Sequence, residues 1–185
     1  MTIRRRGHSL LELLIVVVIL AILGRAAVVL WGAAAPDSLR QAAIGLKRDL
    51  QEARHLATAH NSTYRITVDV TNNLYFLERI GANSQDGELP PAPYQALEQS
   101  PLRRVCRMAD QPGRLVELVK IIRPEEPAHS SEHVQFGPFG ETESPYVTEI
   151  WLAMQNGDST LYISVSVNPT TGLVFLGNLT GAPPP

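Results

Sequence analysis

The chain has a single cysteine, Cys106, in 185 residues, which excludes an intrachain disulfide. A lone thiol either pairs with another chain or is buried, and burial is the expectation for Cys106. Basic residues are also missing from one third of the chain. All 16 Lys and Arg lie at or before Arg123. Beyond it stand seven acids: Glu125, Glu126, Glu132, Glu141, Glu143, Glu149 and Asp158. Phosphate contacts need Lys or Arg, so the C-terminal third offers no nucleic-acid surface. Arg103, Arg104, Arg107 and Arg114 remain as candidates for a basic patch, and a solvated loop face is the simpler reading.

A catalytic constellation is missing too, and no enzyme activity or cofactor is expected. His129 and His133 have helical metal-ligand spacing. The Ser130-Ser131-Glu132 between them follows a Pro-rich turn and reads as loop or strand, so no metal site is expected. Ser164 and Ser166 alternate with apolar residues and read as the outer face of a strand. His55 and His60 end a helix and read as capping or solvated.

What the chain does have is a basic, then apolar, N-terminus. Arg4-Arg5-Arg6-Gly7-His8-Ser9-Leu10-Leu11-Glu12 leads into a run from Leu13 to Ala35 whose only ionisable residue is Arg25. A bilayer-spanning helix needs about 20 mostly apolar residues, and the run meets that length. The arginines place the N-terminus in the cytoplasm and the rest outside, which in a diderm bacterium is the periplasm. Trp31 fits an interfacial anchor, and Arg25 can snorkel to headgroups. Glu12 costs roughly 2.5 kcal/mol or more if it sits deep in lipid. It either lies shallow or has a partner. An ordinary secretory signal would put its A-x-A site at Ala33-Ala34-Ala35. The apolar run is too long for that, and Pro36 would follow the cut. A twin-arginine signal fits less well, because no cofactor site follows.

Gly7-His8-Ser9-Leu10-Leu11-Glu12 with the apolar run resembles the class III signal of type IV pilins and type II secretion pseudopilins. The resemblance implies cleavage after Gly7 by a prepilin peptidase, with N-methylation of the new terminus at His8. The family usually has Phe or Met where this chain has His8. It further implies that Glu12 is the assembly contact, neutralising the terminal amine of a neighbouring subunit. The physics agrees, since a buried carboxylate needs a partner.

After Pro36 the pattern turns amphipathic. Leu39, Ala42, Ala43, Leu46, Leu50, Ala53 and Ala57 recur at three- and four-residue spacing. Arg40, Gln41, Lys47, Arg48, Asp49, Gln51, Glu52 and Arg54 are assigned to a solvated back. Ser38 or Asp37 is expected to cap a helix start, and Pro36 and Gly32 to mark bends. Asn61 and Ser62 end the helix. Tyr64, Ile66, Val68 and Val70 then alternate with polar residues as a half-buried strand, and Leu74 to Arg79 returns after a Thr71-Asn72-Asn73 turn. Residues 81–113 read as an irregular insertion. Further strands are expected at Arg114 to Ile122, His133 to Phe136, Thr148 to Met154, Thr160 to Val167 and Leu173 to Leu176. Trp151 is placed in the core.

Leu46–Asp69, the Phe136-Gly137-Pro138-Phe139-Gly140 turn and the Thr171-Gly172-Leu173-Val174 ending resemble the GspH/FimT group of minor pilins and pseudopilins. The implied fold is α+β, a long N-terminal helix, half membrane-spanning and half amphipathic, packed on an antiparallel β-sheet head. The expected organisation is a leader at 1–7, an assembly helix at 8–35, its amphipathic continuation at 36–60, a head at 61–180 and a tail at 181–185. The expected partners are prepilin peptidase, other pilin or pseudopilin subunits, an inner-membrane assembly platform and inner-membrane lipid. A plain signal anchor and a DNA-uptake receptor are the competing readings.

Overall fold

Residues from Leu10 to Ala59 form one α-helix, α1 (Leu10–Ala59), in a computed structural model that describes residues 10–80, 89, 99–100, 103–110, 115–123 and 132–184. For residues 23–35, 99–100 and 110 it describes the backbone alone. The chain divides into two compact units, 1–34 and 35–185. Leu and Ala dominate α1 and are strong helix formers. Pro36 lies inside the helix, although an interior proline removes one hydrogen bond and costs about 3 kcal/mol. No helix start exists at Asp37 or Ser38, so neither acts as the expected N-cap. The end is a Schellman motif. Ser62 N donates to Ala57 O at 3.1 Å, and Asn61 N to Thr58 O at 3.5 Å. Asn61 supplies the left-handed residue at φ 47°.

Among the described residues of the second unit, nine strands form two antiparallel sheets. The first sheet has the order β3-β4-β2-β1-β6. It is built from β1 (Thr63–Asp69), β2 (Leu74–Ile80), β3 (Gln99–Ser100), β4 (Arg103–Arg107) and β6 (His133–Phe136). The second has the order β5-β7-β8-β9, from β5 (Val116–Ile122), β7 (Thr148–Asn156), β8 (Ser159–Val167) and β9 (Val174–Leu176). The Gly157-Asp158 turn between β7 and β8 has φ 61° at Gly157 alone, a type II′ hairpin.

One core serves the helix and both sheets. It joins the seven-residue apolar stripe of α1 to Tyr64, Ile66, Tyr75, Leu77 and Phe136 of the first sheet and Ile150, Leu152, Ile163 and Val165 of the second. The period-2 alternation of β1 puts Tyr64, Ile66 and Val68 inward. Val70 is 40% exposed, because the strand ends at Asp69 and Val70 belongs to the turn.

Asn73 ties the two sheets together. Its side-chain amide donates to Val116 O at 2.9 Å and accepts from Leu118 N at 2.8 Å. It therefore pairs with the edge of β5 as a short strand would. Its own carbonyl accepts from Met108 N at 3.1 Å, and its φ of 51° is one that Asn tolerates. At the other end of β5, Arg123 Nε donates to Thr148 Oγ1, and its Nη2 to His133 O.

Four further expectations change. The 81–113 stretch contains β3, β4 and a 3-10 turn at Met108–Asp110, so part of it is sheet. Trp151 is half-buried on the outward side of β7, its Nε1 donating to Glu149 at 3.0 Å. Its neighbours Ile150 and Leu152 take the inward positions. Asp49 is buried, not on a solvated back. Arg104 is buried, not on a loop face.

Candidate assembly site

Glu12 stands in the first turn of α1 and is exposed. A carboxylate there faces the partial positive charge of the helix N-terminus. The helix around it is apolar on every side. Leu10, Leu11, Leu13, Leu14 and the run Ile15 to Leu20 are each between 47% and 83% exposed. A helix apolar all round belongs inside something, a lipid bilayer or other helices. Among the described residues no helix is long and apolar enough to cross a membrane. The expected span is described with its side chains only as far as Ile22. Gly7 and His8, the expected processing residues, lie outside the described residues.

In the second unit, a polar cluster crosses the seam between α1 and the first sheet. Tyr75 Oη donates to Asp49 Oδ2 at 2.6 Å, and Cys106 Sγ lies 3.6 Å from the same oxygen. Arg104 makes a bidentate pair with Glu52, Nη1 to Oε1 at 2.7 Å and Nη2 to Oε2 at 3.0 Å. Among the described residues its Nε has no hydrogen-bond partner. Burial by itself would lower the Arg104 pKa. The Glu52 hydrogen bond and charge, with Asp49 and Cys106 adding, hold it above the usual value. Burial, then the Asp49 charge, pushes the Cys106 thiol up to about 12. The thiol is thus neutral and inert. This cluster was readable in part: Asp49 is three residues after Leu46 and four before Ala53, on the apolar stripe itself. The inward turn of Arg104 followed only once Arg103–Arg107 was a strand.

The three segments that resembled the pilin group meet at one place. Arg54 of α1 donates from Nε to Gly140 O at 3.3 Å. Gly140 (φ 82°) ends the Gly137–Gly140 turn, and Gly172 (φ 62°) follows the Asn168–Thr171 turn. A Cβ on Gly172 would sit 1.9 Å from Gly140 O and 3.0 Å from Arg54 Cδ. Asn168 Oδ1 accepts from Thr170 N and Thr171 N and fixes that second turn. The glycine-bearing motifs therefore let two backbones and an arginine close on one another.

The other candidate residues stay apart. His133 Nε2 lies 3.7 Å from Glu143 Oε2, and His129 is outside the described residues. Among the described residues no group of three His, Cys, Asp or Glu could hold a metal ion. His60 Nδ1 is 2.7 Å from Tyr64 Oη beside the helix end. Ser164 and Ser166 lie on the outward side of β8.

Residues 3–24 match the prokaryotic N-terminal methylation motif. The methylation motif spans the glycine, Glu12 and the start of the apolar run. No curated protein matches the chain in sequence. Among solved structures, the chain is similar to the type IV minor pilin FimU of Pseudomonas aeruginosa. Identity is 17% over 76% of this chain and 93% of that one, with a TM-score of 0.46. It is similar as well to the minor pseudopilin EpsH of the Vibrio cholerae type II secretion system. There identity is 11% over 80% and 99% of the two chains, also with a TM-score of 0.46.

Proposed function

We propose that the protein is a minor pseudopilin of a type II secretion system, a filament subunit and not an enzyme. The observation that carries this reading is the methylation motif at residues 3–24 running into a helix that is apolar and exposed on all sides. Such a helix needs a bilayer before assembly and other helices after it. In this reading a prepilin peptidase of the inner membrane cuts after Gly7 and methylates His8. The chain is then held single-pass, with the head in the periplasm. Glu12 takes the terminal amine of a neighbouring subunit as its partner in the filament, because a carboxylate among apolar helices is stable only when paired. The same physics serves a type IV pilus minor pilin, which is the alternative. The C-terminal third, without Lys or Arg, weighs against a DNA-uptake receptor.

The test is co-expression with a prepilin peptidase. The wild-type chain is expected to lose its first seven residues and Gly7→Ala to stay full length. A size unaffected by Gly7→Ala, with no cleavage in either chain, overturns the reading. Deleting the gene separates the two machines: lost secretion with intact pili supports the pseudopilus, and the converse supports the pilus.

A further inference from the structure

Asn156 and Gly157 are the chain's only Asn-Gly pair. Asn156 ends β7 opposite Ser159, and Gly157 is the first residue of the turn. An asparagine carries its own electrophile, the side-chain amide carbon, and the next backbone nitrogen can close a ring onto it. Glycine is the best next residue, because no β-carbon crowds the approach. The surroundings of Gly157 are open as well: beyond its chain neighbours, a Cβ placed there meets nothing within 4 Å. The turn is exposed, so water has direct access. Among the described residues the Asn156 side-chain amide makes no hydrogen bond, and Ser159 Oγ donates to the Asn156 backbone carbonyl at 3.1 Å. Other asparagines are held. Both halves of the Asn73 amide grip β5, and Asn72 Nδ2 donates to Asp69 at 2.7 Å. Asn168 precedes Pro169, which has no N–H to give up. After Asn61 the next nitrogen, of Ser62, is engaged by Ala57 O.

We propose that Asn156 is a self-modification site, deamidated through attack by Gly157 N on Asn156 Cγ. Extended backbone holds these two atoms apart, so the ring closes when the last pair of the hairpin opens. That pair lies at the exposed tip, where opening costs least. The N–Cγ bond forms, the Cγ–Nδ2 bond breaks, and the amide nitrogen leaves as ammonia with the proton of Gly157 N. Water then opens the succinimide, its hydroxyl going to the carbon and its proton to the nitrogen. Opening at Cγ leaves an aspartyl residue. Opening at the main-chain carbonyl leaves an isoaspartyl residue, whose backbone is one methylene longer. Either product adds a negative charge beside Asp158, in a third of the chain that has no Lys or Arg to meet it. The longer backbone also puts position 156 out of step with Ser159. No enzyme, oxidant or cofactor is required, and the lost ammonia is not regained, so the β7–β8 tip records the age of the chain. The inference goes beyond the filament reading and does not depend on it.

The test uses the folded full-length chain in detergent micelles, incubated for weeks at body temperature in mildly acid and mildly alkaline buffers. Isoaspartate is read by labelling with an isoaspartyl methyltransferase and radioactive S-adenosylmethionine. The site is located by mass spectrometry of the piece released by cleavage after Glu149, which contains no further Glu. A sample taken at time zero and digested alike sets the background. The wild type is expected to gain label at position 156 with time, and severalfold more of it in the alkaline buffer, because the attacking nitrogen must lose its proton. Asn156→Gln, at an exposed tip and with a ring one atom larger to close, should fold normally by circular dichroism and lose nearly all of the label. A wild type that stays unlabelled, equal yields in the two buffers, label at another residue in place of 156, or label undiminished in Asn156→Gln would each overturn the assignment.

Discussion

Arg104 is 3% exposed and Glu52 30%, so their pair is sheltered enough for removal of one partner to be costly. Glu52→Ala should lower the unfolding free energy by about 3 kcal/mol, because a buried guanidinium is left unpaired. Combining it with Arg104→Leu should recover most of that loss, since an apolar pair can replace a buried ion pair. Urea titration of both variants checks the two outcomes. Cys106 gives a pH dependence. Its thiol ionises near the ordinary 9.0 when unfolded and near 12 when folded. The stability linked to it is therefore fully present below pH 9 and is lost as pH rises toward 12, at up to about 1.4 kcal/mol per pH unit. The pKa of Tyr64 is raised above its ordinary 10.0 as well, mainly by burial, so the window from 9 to 10 reports on Cys106. Cys106→Ala should flatten the stability curve there. Neither Glu52 nor Cys106 announces this cluster in the sequence. Glu52 has the look of any solvated helix residue, and its partner comes from a strand 52 residues away.

Elements are joined here by single side chains, and those joints are testable. Asn73→Gly keeps the left-handed φ and deletes the clamp on β5, leaving Val116 O and Leu118 N without it. The expected loss is about 2 kcal/mol, measured by thermal unfolding. Gly172→Ala meets both a positive φ and the Gly140 carbonyl at 1.9 Å, whereas Gly157→Ala meets a positive φ and open space. The first should be the more destabilising, with Gly157→Ala costing about 1 kcal/mol. The strands on either side of these joints were legible, because period-2 alternation and Gly, Asn and Pro turns bracket them. β4 was not. Arg103, Arg104 and Arg107 read as a solvated face, and the alternation that mattered there put an arginine and a cysteine inward. Its inward side is polar because α1 brings Asp49 and Glu52 to meet it.

At the scale of the molecule, the apolar stripe of α1 and both sheets share one core, contained in 35–185. A chain beginning at Ala35 should therefore unfold in one cooperative transition, with far- and near-UV circular dichroism coinciding. Probes that separate would show that the head depends on residues 1–34. The hydropathy pattern changes from continuous to striped at Pro36. The division of the head into two sheets was not legible in that pattern, because strand order depends on which distant edges pair.

That strand order has a consequence for how the head comes into being. β1 is flanked by β2, its neighbour in sequence, and by β6, whose Gln135 meets Arg65 across 70 residues. Pairings at such separation slow folding, because the loop must close before the contact rewards it. During synthesis the β1–β2 hairpin is complete long before residues 133–136 exist. Until then β1 presents an open edge, the kind of edge on which chains aggregate. Chains truncated before His133 should accordingly bind chaperones and resist release, while the full-length chain should not.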